Sequence, residues 1–243
     1  MRILFARKII FFSLLSFLFP AGVFAESLIF KFFGHSNFLI KGGGSSVLIN
    51  PFKSSGCTSN FVEKKNLNQD FILASSRLSD EGFNPRNKLM FVDSGTYKYG
   101  DIILNGSLIP HDRVSGRRYG MATVWTWKQN NFKIVHMGGA AGELKIKDKI
   151  LLSRPDILFI SIGGGAKSYN GAEAAQVIKT LKPLSIIPVH FMQKNKTKEN
   201  CELSDSQEFM ENISSDFKVK YVGNKFEINT KDLKEKSIYF FTN

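Results

Sequence analysis

The sequence predicts a single domain of mixed α/β (α+β) class, and three observations carry this prediction. The chain has 243 residues, 43% hydrophobic and 22% charged, which suits one domain with a sizeable core. Its first half is rich in strand patterns. Its second half contains an apolar strand, an amphipathic helix and a second apolar strand, the order of a parallel pair joined by a crossover helix.

Strand patterns begin soon after the N-terminus. Apolar residues recur at every second position in residues 28–33 and again in 37–41. A Gly-Gly-Gly-Ser-Ser turn at 42–46 leads into residues 47–50, and this arrangement predicts a hairpin. Further short apolar runs predict more strands, at residues 71–74, 89–92, 102–109, 122–128 and 132–136.

The second half adds helices to the pattern. Residues 156–165 form a continuous apolar strand that ends in glycines, and residues 185–191 form another. Between them, residues 172–181 have apolar side chains at helical spacing. A second helix is predicted over 205–214, capped by Ser204 with Gln207 at the capping-box position.

The first 25 residues have the features of a secretory signal. Arg2, Arg7 and Lys8 precede an apolar stretch of residues 9–19, and the segment ends at Ala25. That stretch is too short for a spanning helix of roughly 20 residues. We therefore expect export to the periplasm or the extracellular space, with one domain over 26–243. The alternative is an uncleaved anchor, which would be the chain's only contact with a membrane.

The charge of the chain indicates which partners to expect, and its cysteines raise the question of a disulfide. The formal charge is +12, but the lysines are scattered and no nucleic-acid-binding motif is present, so we expect a solvated basic surface and no nucleic-acid partner. Cys57 and Cys201 are the only cysteines. Export would permit a disulfide between them, and two free thiols are the alternative.

The four histidines stand at the ends of predicted strands. They are His35, His111, His136 and His190. Loops at strand ends are where α/β proteins assemble their sites, so these residues are candidates for function. His136 lies inside an apolar strand and is interpreted as structural.

Four segments, in order, resemble the metallo-β-lactamase superfamily, and within it the branch of ascorbate-6-phosphate lactonase-like metal-dependent hydrolases. They are residues 34–52, 109–127, 134–142 and 156–191. The resemblance implies an αββα four-layer sandwich, in which helices cover two mixed sheets. It also implies a site with one or two metal ions that generate hydroxide from water.

The resemblance also implies that the metal site is degenerate. The family's His-x-His-x-Asp-His cluster falls on Ser76, Leu78, Asp80 and Glu81. Leu78 has no lone pair to donate and Ser76 is a poor zinc ligand, so the three-histidine site is lost.

Of the remaining family positions, some keep the family's residue and others do not. The two later histidines map to His111 and His190, whereas the bridging aspartate maps to Gly139 and the aspartate after the first hairpin to Asn50. We expect no metal cofactor, or one divalent ion held weakly by Asp80, Glu81 and His190. Asp80 would be the catalytic residue of such a centre.

These residues predict a pseudoenzyme, a non-catalytic descendant of a hydrolase that binds a small anionic ligand or a protein partner. His35, Arg77, His111 and Arg113 would bind the ligand, because guanidinium groups recognise carboxylates and phosphates. The alternative is a weakly metal-dependent hydrolase of an ester, lactone or phosphoester. A structural envelope protein is a third alternative.

Overall fold

Two β-sheets packed face to face form the centre of the molecule in a computed structural model that describes residues 26–84, 86–193 and 201–242. The predicted signal segment, residues 1–25, lies outside the described residues. Within the described part, no helix is long and apolar enough to cross a membrane.

The elements follow one another as a strand-rich first half and a mixed second half. In chain order, the strands are β1 (Ser27–Gly34), β2 (Asn37–Gly42), β3 (Ser45–Ile49), β4 (Phe71–Leu73), β5 (Met90–Phe91), β6 (Gly95–Tyr99), β7 (Ile102–Pro110), β8 (Met121–Gln129), β9 (Phe132–His136), β10 (Ile157–Ser161), β11 (Ser185–Val189), β12 (Lys218–Val222), β13 (Lys225–Asn229) and β14 (Ser237–Phe241). The α-helices are α1 (Ile146–Leu152), α2 (Gly171–Leu181) and α3 (Gln207–Asn212), and short 3-10 turns occur at Gly56–Thr58 and Asp232–Lys234.

Both sheets are mixed. The six-stranded sheet has the order β13-β1-β2-β3-β4-β5, and the eight-stranded sheet the order β12-β14-β11-β10-β9-β8-β7-β6. The predicted hairpin is confirmed, since β2 and β3 pair antiparallel. The predicted crossover is also confirmed, since β10 and β11 pair parallel with α2 between them in the chain.

Aromatic side chains fill the space between the sheets. Phe30, Phe38 and Phe71 of the six-stranded sheet meet Trp125 and Phe159 of the eight-stranded sheet, and all five are fully buried. The indole N–H of Trp125 donates to the carbonyl of Ala74 at 2.9 Å, which ties the sheets together beside the loop that follows β4. The strand patterns were recognisable in the sequence because each strand places large apolar residues on its inner face, towards this core.

The outer layers of the sandwich differ. Leu152, Ile178 and Phe209 of the three helices pack on the outer face of the eight-stranded sheet. The outer face of the six-stranded sheet is covered by an irregular segment that contributes Leu67. The predicted two-sheet sandwich is confirmed, with few helices among the described residues.

The helix predicted over 205–214 is shorter than expected. It begins at Gln207 and its N-cap is Ser206, so Gln207 is not at a capping-box position. Ser204 was the wrong cap because its backbone is engaged elsewhere: its N–H donates to Gly163, and its carbonyl accepts from Met192. Strands β12 to β14 were not predicted.

Cys57 and Cys201 form a disulfide, which resolves the two alternatives that the sequence left open. The bond links residues 144 positions apart, so it strongly restricts the unfolded chain. We expect the double variant Cys57→Ser/Cys201→Ser to lose about 2–5 kcal/mol of unfolding free energy, measured by urea denaturation. A reductant should destabilise the wild type and leave this variant unchanged. A wild type insensitive to reductant would contradict the expectation.

Candidate functional site

The candidate site lies at one end of the sandwich, where the β1–β2 turn meets the loops after β4, β7, β9, β10 and β11. Backbone hydrogen bonds join these loops. The His190 N–H donates to the carbonyl of His35 at 3.1 Å, and the Ala141 N–H donates to that of Pro110 at 2.9 Å. His35, His111 and His190, three of the histidines at the ends of predicted strands, all lie at this end.

Three side chains converge at the centre of the site. The ligand atoms of His35, Asp80 and His190 all lie within 4.8 Å of one another, and the two imidazole rings are 4.1 Å apart. His35 and His190 both have left-handed backbone angles, φ 57° and 54°. This conformation is costly for a residue with a Cβ, so the fold holds both side chains in place against local strain.

A lysine that the sequence analysis did not single out completes the cluster. Lys167 follows β10, and its Nζ lies 2.5 Å from Oδ2 of Asp80 and 3.7 Å from Oε1 of Glu81. Its side chain is only 14% exposed. The one sequence feature that could have pointed to Lys167 is the glycine run before it, because glycines allow a tight loop at the end of a buried strand.

Glu81 is not part of the His35, Asp80 and His190 group. Its Oε1 lies 2.9 Å from Nε2 of His111, in a close contact whose angle departs from that of a hydrogen bond, and both side chains are fully buried. The predicted metal set of Asp80, Glu81 and His190 is therefore not the one that converges, because His35 takes the place of Glu81.

A chain of donors leads to the second oxygen of Glu81. The side-chain amide of Asn50 donates to Oγ of Ser75 at 2.9 Å, and Ser75 Oγ contacts Oε2 of Glu81. An aspartate at position 50 would be ionised and could not donate. The asparagine at the position of the family's aspartate thus fits a centre built around the Glu81 carboxylate.

Gly139 stands at the position of the family's bridging aspartate, and the structure leaves no room for a side chain there. A Cβ at this residue would lie 2.1 Å from Cε1 of His111 and 2.6 Å from Oε1 of Glu81. The space that a bridging carboxylate would need is filled by the Glu81–His111 pair.

Charge compensation keeps both carboxylates ionised. Burial alone would raise the pKa of Asp80, but the His35 contact and the Lys167 ammonium hold it well below its usual range. Burial also opposes ionisation of Glu81, yet the adjacent His111 and Lys167 lower its pKa to about 2. Burial would lower the pKa of His111 and of Lys167, but the neighbouring carboxylates outweigh burial and raise both pKa values. The centre is a network in which Lys167 lies against the carboxylates of Asp80 and Glu81, and His111 lies against Glu81.

His190 and His136 remain uncharged. Burial, with His35 and Lys167 nearby, holds the pKa of His190 well below its ordinary value. His136 is buried, its ring lies 5.6 Å from that of Phe159, and burial lowers its pKa to about 4. This environment agrees with the structural interpretation of His136.

The two arginines predicted to bind a ligand are engaged with carboxylates. Arg77 pairs with Asp93 at 2.9 Å on the exposed surface. Arg113 forms a bidentate pair with Glu173, with both N···O distances at 2.7 Å, and also donates to the carbonyls of Gly165 and Ser168. Arg113 therefore clamps the loop that carries Lys167. A ligand role for either arginine stays a prediction.

The donor set does not fit the family's two-metal centre. Ser76, Leu78 and Gly139 supply no imidazole or carboxylate, and the Lys167 ammonium already pairs with Asp80 and lies 3.7 Å from Glu81. A single ion fits His35, Asp80 and His190 by chemistry, as two imidazoles and one carboxylate are a common set for a divalent metal. Such an ion would compete with Lys167 for Asp80.

Comparison with solved structures supports the fold. A metallo-beta-lactamase superfamily protein from Thermotoga maritima superposes with a TM-score of 0.69 and 20% identity, over 88% of this chain and 98% of that chain. YhfI from Bacillus subtilis, a metallo-beta-lactamase fold protein, gives 0.57 and 9%, over 84% and 99%. Igni18, a metallo hydrolase from Ignicoccus hospitalis, gives 0.51 and 18%, over 68% and 83%.

Comparison at the level of sequence gives the family. A search of curated protein sequences finds no match. The family model of the beta-lactamase superfamily domain matches residues 30–190, which span the strands from β1 to β11 and every residue of the central cluster. The lactonase-like branch within the superfamily stays a prediction. The match covers well over half of the chain, and the protein therefore belongs to the beta-lactamase superfamily.

Proposed function

We propose that this protein is a non-catalytic member of its superfamily, exported from the cell, that binds a small anionic ligand. One observation carries the proposal: the Lys167 ammonium contacts both Asp80 and Glu81, the carboxylates that the resemblance places among the metal ligands. The cation at the centre of the site is thus part of the polypeptide.

The chemistry of an ammonium differs from that of a metal ion. A metal with an open coordination position binds water and brings its pKa towards neutrality. Lys167 donates its protons to carboxylates and has no coordination position to offer. Hydroxide would not form readily beside it, so hydrolysis by the family's route is not expected.

A cleft next to the network supports a binding role. It has a volume of about 430 Å³ and is lined by residues that include Ser76, Arg77, Leu78, Tyr119 and Met121. Arg77 is exposed, and an exposed ion pair such as Arg77–Asp93 contributes little stability. A ligand carboxylate or phosphate would displace Asp93 from the guanidinium at small cost.

A weak one-metal hydrolase is the second candidate, favoured by the convergence of His35, Asp80 and His190. A divalent ion there would act on an ester, lactone or phosphoester. Lys167 would first have to leave Asp80, which costs a buried ion pair, so the ion would bind weakly.

Assays on a lactone and a phosphodiester, with added zinc or manganese, separate the two candidates. We expect no turnover above the buffer rate in the wild type, and the same result for His190→Ala. Circular dichroism checks that the variant is folded. Turnover that disappears in folded His190→Ala would contradict the non-catalytic proposal.

Export is the remaining part of the proposal, and it rests on the charged and apolar pattern of residues 1–25. The mass of the protein recovered from the cell envelope is its test. We expect a chain that starts at Glu26, and a mass that includes residues 1–25 would count against cleavage.

A further inference from the structure

We propose that helix α1 is a docking surface for anionic membranes. The basic-apolar face, as this surface is called below, consists of Lys145, Ile146, Lys147, Lys149, Ile150 and Leu151. All six side chains are exposed. The Leu151 end of the helix lies at the end of the sheet opposite the Lys167 network, and the proposal is independent of the function proposed for that network.

Two isoleucines form an apolar ridge along the helix. Ile146 is 77% exposed and Ile150 is 71% exposed, unusually high values for large aliphatic side chains. They are four residues apart, so they stand one above the other on the same side of the helix. Leu151, 38% exposed, lies about 100° round the helix from Ile150, beside the ridge on the side of Lys147. A contiguous apolar feature on a surface typically marks an interaction site.

Lysines flank this ridge on both sides. At roughly 100° of rotation per residue, Lys147 and Lys149 fall on opposite sides of the line through Ile146 and Ile150. Long lysine stems can lie along an apolar surface while their ammonium groups reach the level of lipid phosphates. The order of basic, apolar and basic across the helix is the pattern of an interfacial helix.

The acidic residue of the helix does not weaken this charge. Asp148 is buried, and its Oδ2 accepts from the backbone N–H of Lys145 at 3.1 Å. Glu143 is exposed just before the helix, whereas Arg154 is exposed just after it. The outward charge of the face remains positive.

A cleft adjoins the end of helix α1 at Leu151. Its volume is about 470 Å³, and its lining includes Leu151, Ile103 and Trp127, with Lys128 and Asp101 also present. This cleft could accept an apolar part of a lipid that the ridge has reached.

Charge complementarity favours a lipid surface as the occupant. The chain carries a formal charge of +12, of which Arg2, Arg7 and Lys8 in the predicted signal segment contribute +3. Anionic lipids attract lysines near the membrane with a roughly fivefold gain in binding for each. The ridge projects from the molecule, which suits insertion between headgroups. The sequence analysis expected membrane contact only through residues 1–25, and this face would be a second route.

The position of the face is compatible with an accessible site. The adjoining cleft lies at the starts of β7 and β9 and the end of β8, whereas His111 and Gly139 follow the opposite ends of β7 and β9. Docking through this face would leave the Lys167 network and the 430 Å³ cleft open to solution.

Vesicle sedimentation tests the proposal. The protein is used as it is recovered from cells, without truncation. One sample is mixed with vesicles of phosphatidylcholine and phosphatidylglycerol, and a second with vesicles of phosphatidylcholine alone. We expect binding to the anionic vesicles only, and loss of binding at high salt, where the screening length falls to about 3 Å. Lys147→Gln/Lys149→Gln should weaken binding about 25-fold, at roughly fivefold for each lysine. Ile146→Ser/Ile150→Ser should weaken it by roughly tenfold or more.

A matched control tests whether the face is specific. Val62 is 68% exposed and is followed by the exposed Lys64, so Val62→Ser/Lys64→Gln removes the same chemistry elsewhere. We expect less than about a twofold change in this control. All variants share one N-terminus, so any contribution of residues 1–25 cancels. Absence of binding by the wild type would overturn the proposal, since an acidic protein would then be the better partner. Equal losses in the face variants and the control would overturn it as well.

Discussion

Replacement of Lys167 by Met is expected to lower the free energy of unfolding by about 3–5 kcal/mol, because it leaves the buried Glu81 and the partly buried Asp80 without their shared cation. Asp80 and Glu81 both contact the ammonium, and Glu81 is fully buried. Urea denaturation measures the change. Lys179→Met, on the exposed side of α2, is the control and should stay within about 0.5 kcal/mol of the wild type.

The same variant provides a second readout that a packing defect would not give. Without Lys167, the Asp80 carboxylate is free to join His35 and His190 around a divalent ion. Zinc or manganese should therefore stabilise Lys167→Met, by about 2.7 kcal/mol at a hundred times the dissociation constant. The ions should stabilise the wild type much less. A Lys167→Met variant as stable as the wild type, and indifferent to metal, would contradict the role given to Lys167.

Gly139→Ala is expected to cost about 3 kcal/mol, at the upper end of what overpacking a core usually costs. The added Cβ would meet His111 and Glu81 at 2.1 and 2.6 Å, and both are held by their own contacts. Gly139→Asp, which restores the family's bridging carboxylate, should be worse because it also adds a third buried anion.

Gly223→Ala is the matched control, since a Cβ at Gly223 meets nothing within 4 Å. It should change the unfolding free energy by less than about 0.5 kcal/mol. The measurement is again urea denaturation. A Gly139→Asp protein as stable as the wild type would show that the bridging position is open and that the Glu81–His111 pair does not fill it.

Most of the sandwich was predictable because most of its inner strands have distinctive patterns. The inner strand β14 was missed, although all five of its residues are buried. Large apolar side chains recur in β1, β2 and β10, where both the pairing and the core demand them. Strands β12 and β13 lie at sheet edges, and their sequences alternate charged residues with apolar ones. Such segments bury little surface and resemble loops in sequence, so they were missed.

The candidate site was predictable only in part. His35, His111 and His190 were found because each follows an apolar strand. The different directions of Asp80 and Glu81 depend on a tight turn, in which the N–H groups of Glu81 and Gly82 both donate to the carbonyl of Leu78. A sequence pattern does not reveal how such a turn aims its side chains.

Lys167 was missed for a different reason. It lies 87 residues from Asp80 in the chain, and a lysine is ordinarily a solvated surface residue. Its burial follows from the meeting of the loops after β4 and β10, which only the folded structure brings together.

Metal stoichiometry tests the central claim most directly, namely that a protein cation replaces the two-metal centre. The chelator-treated wild type is titrated with zinc and with manganese in a calorimeter, and native mass spectrometry counts the ions. The account predicts weak binding that leaves most chains without an ion, because Lys167 holds Asp80 and Glu81. Tight binding of two ions per chain would contradict it.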